Sequence, residues 1–363
     1  VVNRGRRVGR GARSERQPDG QGMAQAMRRL GILTGGGDCP GLNAVIRAVA
    51  HRCATRGVEL LGYVNGWEGV LAGEWRRLDR QAVKGILPLG GTILGTSRTD
   101  PLVVPDGVER LRRSLAGDGV DGLVVVGGDG TLSAATELLR EGFRLVGVPK
   151  TIDNDLSATD FTFGFDTAVG IATEAIDRLH TTAEAHNRVI VVEVMGHHTG
   201  WIAAYAGIAG GADVILVPEV PFDVDAVCER IRERERRGRS FSIVVIAEGA
   251  RPREADGGPP ERRARVKPGE ISYWLANEIE RCIHTETRTV VLGHIQRGGS
   301  PSAHDRVLAT RFGVHAADLA LAGDWGRMVA LRGTKIVAVE LPEAVKQIKL
   351  LDPAIWEIAK VFA

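Results

Sequence analysis

The sequence predicts an α/β protein of doubly wound domains with mostly parallel sheets. Three observations carry that reading. Apolar runs of buried-strand length recur at Leu30 to Thr34, Leu123 to Val126, Phe143 to Val148 and Val189 to Val194. Each runs into a loop rich in glycine, acids or hydroxyls, and two of these loops open stretches with apolar side chains at helical spacing, the order of a parallel sheet whose strands end in ligand-facing loops. The 363 residues suffice for two cores, at about 100 to 200 residues per domain.

Composition narrows the class. With 44% hydrophobic residues, 25% charged and 47 glycines, the chain reads as a soluble, loop-turning enzyme rather than a fibrous or disordered protein. A net charge of +2 is too small to argue for a nucleic-acid or membrane partner, though it leaves room for a local basic pocket. The cysteines Cys39, Cys53, Cys228 and Cys282 form no CxxC pair, so neither a zinc knuckle nor a disulfide framework is indicated, and a reducing cytoplasm is the default. The longest uncharged apolar stretch, Trp201 to Ala212, is short of the roughly 20 residues that a membrane span needs.

Residues 1–29 carry eight arginines and no apolar block, and read as a disordered leader or as the product of a start upstream of Met23 or Met27. The first strand, Leu30 to Thr34, feeds Gly35-Gly36-Gly37-Asp38-Cys39-Pro40-Gly41, and Leu42, Val45, Ile46, Val49 and Cys53 then mark a helix. Strand, glycine loop and helix allow backbone N–H groups to approach phosphate, although a plain tight turn reads the same way. After a strand at Val58 to Val64, a loop-rich region ends at Arg98, placed behind small residues where a guanidinium can reach a phosphoryl group or simply meet solvent. Leu123 to Val126 runs into Gly127-Gly128-Asp129-Gly130-Thr131, where one carboxylate suits a Mg²⁺ that shares its remaining positions with water and phosphates.

The next strand ends in Pro149-Lys150-Thr151-Ile152-Asp153-Asn154-Asp155. Two carboxylates beside a lysine and a hydroxyl suit proton removal next to phosphate groups, and Asp-Asn-Asp is also ordinary turn chemistry. A helix over Thr167 to Thr182 leads to Arg188 and the strand Val189 to Val194, then to Met195-Gly196-His197-His198, a second loop where a sugar can sit. Strands at Val214 to Val217 and Ser242 to Ala247 follow, the latter ending at Glu248, and 250–268 reads as an exposed loop. Thr289 to Leu292 feeds Gly293-His294-Ile295-Gln296-Arg297, and a helix from Ala303 to Ala322 with a short tail closes the chain.

Taken together and in this order, TGGGDCPGLN, GGDGT, PKTIDND, EVMG and LGHIQRGGSP over residues 31–301 resemble the 6-phosphofructokinase family. The resemblance implies two interlocked doubly wound domains: a donor-binding one over 30–164 plus 296–346, and a sugar-phosphate-binding one over 165–295 plus 347–363. It implies Asp153 as the base that takes the proton of the fructose 6-phosphate 1-hydroxyl, with Thr151 and Asp155 at the transferring phosphate. Asp129 would serve the Mg²⁺–nucleotide complex, with Gly36, Gly128, Gly130 and Thr131 around the donor phosphates and Arg98 steadying the phosphoryl group. Met195, Gly196, Glu248, His294 and Arg297 match sugar-phosphate contacts. Arg188 and Arg288 match arginines that reach in from a neighbouring subunit, so the resemblance implies a cytoplasmic homotetramer with shared sites.

Three positions depart from the family pattern. Gly130 goes with ATP as donor, whereas Lys150, where many ATP enzymes carry glycine, goes with pyrophosphate; ATP is the expectation, because a missing side chain leaves the nucleotide pocket open. His197 stands where many relatives have an arginine beside the phosphates. His51 replaces an arginine of the allosteric site, so no effector is carried over. A pyrophosphate-dependent enzyme and a non-catalytic sugar-phosphate sensor are the rival readings, and a pure sensor has no use for a base and a metal acid in register.

Overall fold

The structure, a computed structural model, describes residues 27–253 and 269–362. Most of the expected leader and residues 254–268 of the expected loop lie outside them. The chain begins with β1 (Arg29–Thr34), α1 (Leu42–Thr55), β2 (Glu59–Tyr63), α2 (Trp67–Ala72), β3 (Trp75–Arg77), α3 (Gly107–Gly117), β4 (Gly122–Gly127), α4 (Asp129–Arg140), β5 (Leu145–Thr151) and β6 (Phe163–Gly164). The long helix α5 (Phe165–His186) then carries it into β7 (Val189–Val194), α6 (Trp201–Ala209), β8 (Val214–Leu216), α7 (Val224–Arg236), β9 (Ser242–Ala247), α8 (Ile271–Ile283) and β10 (Thr287–Val291). A 3-10 turn (Gly293–Arg297) and α9 (Ala303–Ala322) lead back to β11 (Arg327–Arg332), β12 (Lys335–Glu340), α10 (Leu341–Ala344) and α11 (Pro353–Phe362).

Two sheets result. The larger runs β12-β11-β5-β4-β1-β2-β3 with β6 on β5, and the smaller runs β10-β7-β9-β8. Pairing is parallel except for β2 with β3 and β11 with β12. In the larger sheet β1 lies between β2 and β4, so the strand order turns around there and leaves a crevice at the carboxyl ends.

Strand alternation assigns side chains to separate cores. Leu30, Ile32, Val124 and Val126 face one core with α1 and α9, while Leu33, Leu123 and Val125 face another with Leu111 of α3 and Leu132 of α4. Buried on both faces, β4 has to be a continuous apolar run, and each of its valines contributes roughly 1.5–3 kcal/mol by leaving water. The first core continues through α5 and α6 to Ile190, Val192 and Val245 of the smaller sheet, so one apolar body joins both sheets. At its end, buried Asp305 of α9 accepts from the Thr167 backbone N–H at 2.8 Å and its hydroxyl at 2.5 Å, which fastens the two crossing helices together.

The structure corrects the sequence reading in three places. Residues beyond Ala322, expected as a short tail, form the β11–β12 hairpin on the larger sheet and two further helices. The stretch read as loop-rich between Val64 and Arg98 contains α2 and β3. The strand expected to stop at Val148 continues to Thr151, because Gly127 and Val126 still pair with Pro149 and Val148 and Lys150 and Thr151 pair with β6.

Candidate active site

Three neighbouring parallel strands, β1, β4 and β5, deliver the GGGD, GGDGT and TIDND loops side by side. At the first, Gly36 adopts φ +79°, a left-handed backbone that side chains rarely take. Its N–H, expected to face donor phosphates, donates instead to the Ser97 carbonyl at 2.9 Å, and Thr96 Oγ1 donates to the Gly36 carbonyl at 2.6 Å. These bonds hold the 96–98 segment against the loop and bring Arg98 alongside, exposed and without an ion pair among the described residues. Thr131 is buried, packed so closely against Gly35 and Gly127 that a Cβ at either glycine would sit within 2.8 Å of it, and thus spaces the two turns.

Gly128 precedes α4, whose first residue is Asp129, so backbone N–H groups and the positive end of the helix dipole face the crevice. A Cβ at Gly130 would meet no atom within 4 Å. Burial raises the pKa of Asp129, the negative charge of Asp155 adds to the rise, and His198 opposes it. His198 is a participant that the sequence reading passed over in favour of His197, and the two exposed rings lie perpendicular with centroids 4.4 Å apart.

Asp153 lies two residues past the end of β5. Burial pushes its pKa up to about 6; Asp155 and Glu248 push the same way, while Arg297 and Lys150 pull it down. One oxygen of Asp153 and one of Asp155 are buried without a partner among the described residues, and between them Asn154 holds φ +52°. Lys150 is buried, donates from Nζ to the Gly37 carbonyl and has its pKa lowered, chiefly by burial. Arg297, expected on the sugar, donates to the Asp38 carbonyl at 3.3 Å and would be 3.0 Å from a Cβ on Gly37. Glycine at 37 is what lets the guanidinium lie between the donor loop and Asp153.

The facing loop set, where the sugar contacts are expected, is built on the smaller sheet. Glu248 donates its backbone N–H to the Val194 carbonyl at 2.9 Å and Gly249 donates to the Gly196 carbonyl at 3.1 Å, which sets Met195, Gly196 and Glu248 together at the ends of β7 and β9. Gly196 has φ +134°, and a Cβ there would lie 2.5 Å from the Thr199 carbonyl. Buried Gln296 accepts from the Met195 N–H at 3.3 Å and so anchors the segment bearing exposed His294 and Arg297. Thr199, which sequence reasoning did not single out, donates its hydroxyl to the Asp153 carbonyl at 3.2 Å and links the two loop sets.

Arg188 and Arg288 are not brought to this site. Both pair with Glu286, Arg188 at 2.6 Å, at the amino ends of β7 and β10. Six residues of strand, roughly 20 Å, separate Arg188 from Met195.

No group of three or more His, Cys, Asp or Glu side chains among the described residues forms a closed metal cage. The donor set fits a Mg²⁺ held through the single carboxylate of Asp129, since that ion keeps several waters and binds donor phosphates, and the partnerless carboxylate oxygens mark the region as cation-seeking.

Glycine turns at the ends of β1 and β4, facing a second loop set across the buried Asp153 carboxylate, form an arrangement suited to phosphoryl transfer, which works by placement and charge. Comparison with known proteins gives the family. Residues 29–320 match the family model described as Phosphofructokinase, and the chain belongs to that family. It is 56% identical over 340 residues to "Pyrophosphate--fructose 6-phosphate 1-phosphotransferase" of Streptomyces coelicolor, covering 92% of this chain and 99% of that one. It is 52% identical over 331 residues to "ATP-dependent 6-phosphofructokinase 3" of the same organism, covering 90% and 97%. The solved phosphofructokinase of Saccharomyces cerevisiae is similar with a TM-score of 0.77 and 31% identity, covering 92% of this chain and 46% of that longer one.

Proposed function

We propose that the protein transfers the terminal phosphoryl group of MgATP to the 1-hydroxyl of fructose 6-phosphate, giving fructose 1,6-bisphosphate and ADP in cytoplasmic glycolysis. Phosphoryl transfer needs little covalent help, so the residues act mainly by placement and charge. Asp153 takes the hydroxyl proton, for which burial has raised its pKa to about 6, near the range where a base works best at neutral pH. Thr151, Arg98 and Arg297 surround the moving phosphoryl group, and Asp129 would hold a Mg²⁺ that, when bound, would neutralise charge at the donor. Met195, Gly196, Glu248 and His294 hold the sugar. On this reading the larger sheet with its loops, 30–164 plus 296–346, is the donor side, and 165–295 plus 347–363 is the sugar side.

The observation that carries ATP is the open space at Gly130 beside the α4 amino end, where a nucleotide's inner phosphate meets no side chain. Pyrophosphate is the second reading, favoured by buried Lys150 beneath the donor loop and by the name of the 56%-identical relative. One coupled assay with the donors exchanged decides between them. ATP supports turnover on the proposed reading, and Gly130→Asp weakens use of ATP by about tenfold or more through steric filling; turnover with pyrophosphate alone reverses the assignment. Arg188 and Arg288 then serve the sugar site of a neighbouring chain in a homotetramer, being too far from their own. No helix among the described residues is long and apolar enough to cross a membrane.

A further inference from the structure

Lys349 lies beyond the residues matched by the family model, yet its side chain ends on the loop that carries Asp153. Nζ donates to Asn154 Oδ1 at 2.9 Å, to the Thr159 carbonyl at 2.9 Å and to the Asp160 carbonyl at 2.8 Å. An ammonium has three donors, and all three are engaged. Burial pulls its pKa down to about 8, against the pull of Asp160 and Asp155, so it is largely charged at pH 7.

The backbone joins in. Lys349 N–H donates to the Asp155 carbonyl at 2.8 Å, and the Lys349 carbonyl accepts from the Trp201 indole at 3.0 Å. Trp201 opens α6 on the sugar side, so the segment threads between the base loop of one sheet and the sugar-side loop of the other. The loop needs such a hold. Asn154 stands at φ +52°, a left-handed backbone that asparagine tolerates better than other side chains, between Asp153 and Asp155, whose charges repel. Its amide oxygen also accepts the Thr162 N–H at 3.1 Å, so Lys349 completes a network around the residue between the two carboxylates.

We propose that Lys349 is a positioning residue for phosphoryl transfer: by clamping Asn154 it fixes the direction in which Asp153 presents its carboxylate to the sugar hydroxyl. This rests on Asp153 being the base. A misplacement of about 1 Å at a reacting group costs on the order of a hundredfold in rate, whereas substrate binding, carried by other residues, changes far less.

The test compares wild type, Lys349→Met, Lys349→Arg and Asp153→Asn as intact enzymes at pH 7, reading kcat, KM for fructose 6-phosphate and amide exchange over residues 152–162. Lys349→Met is expected to lower kcat about 10- to 100-fold with KM within about threefold and faster loop exchange, and Lys349→Arg to recover part of kcat. A kcat within twofold of wild type, or a fall in kcat matched by an equal rise in KM, overturns the proposal, as does unchanged loop exchange. If Asp153→Asn is inactive while Lys349→Met is normal, only this inference falls. If Asp153→Asn turns over normally, the base assignment falls and takes the clamp with it.

Discussion

Asp153 is useful because it is uncomfortable. Its pKa in the folded protein is about 6 against an ordinary 3.8, so between about pH 4 and 6 the folded state keeps a proton that the unfolded chain has released. Stability is therefore lost as pH rises through that window. At neutral pH the buried charge costs on the order of 1–3 kcal/mol. Asp153→Asn, which mimics the protonated form, is expected to raise the thermal midpoint at pH 7 by a few degrees and to lose that advantage near pH 4. Thermal unfolding at the two pH values checks this; a lower midpoint at pH 7 means that the charge is stabilised where it sits.

Elements were legible where one physical signal dominated. β9 at Ser242–Ala247 and α9 at Ala303–Ala322 match their sequence readings, the first as an apolar run. Helix α7 was not read because only Val227, Cys228 and Ile231 of its charged sequence are buried. The β11–β12 hairpin was not read because β12 is a half-exposed edge strand with weak alternation. The loops at the ends of apolar strands were legible, two as glycine turns at Gly36 and Asp129 and the third as the acidic segment around Asp153. Arg297 on the Asp38 carbonyl and Lys349 beneath Asn154 depend on contacts across 259 and 195 residues, and local pattern carries no trace of such pairings.

The whole molecule is two mostly parallel sheets sharing one apolar body, with the GGGD, GGDGT and TIDND loops on one, the Met195 and Glu248 loops on the other, and Thr199 and Lys349 bridging them. One chain still lacks part of the sugar site if Arg188 and Arg288 act across an interface. Co-expression of Asp153→Asn with Arg188→Ala tests that: mixed assemblies regain turnover that neither parent has, because some shared sites then carry no lesion, whereas independent sites stay inactive. The central claim is tested most directly by the pH dependence of kcat/KM for fructose 6-phosphate in wild type and in Asp153→Asn. The wild type is expected to lose activity below about pH 6, and the variant to fall by roughly 10²–10⁴ across the range with no acid limb. A variant within a few-fold of wild type that keeps the same acid limb would show that another group takes the proton.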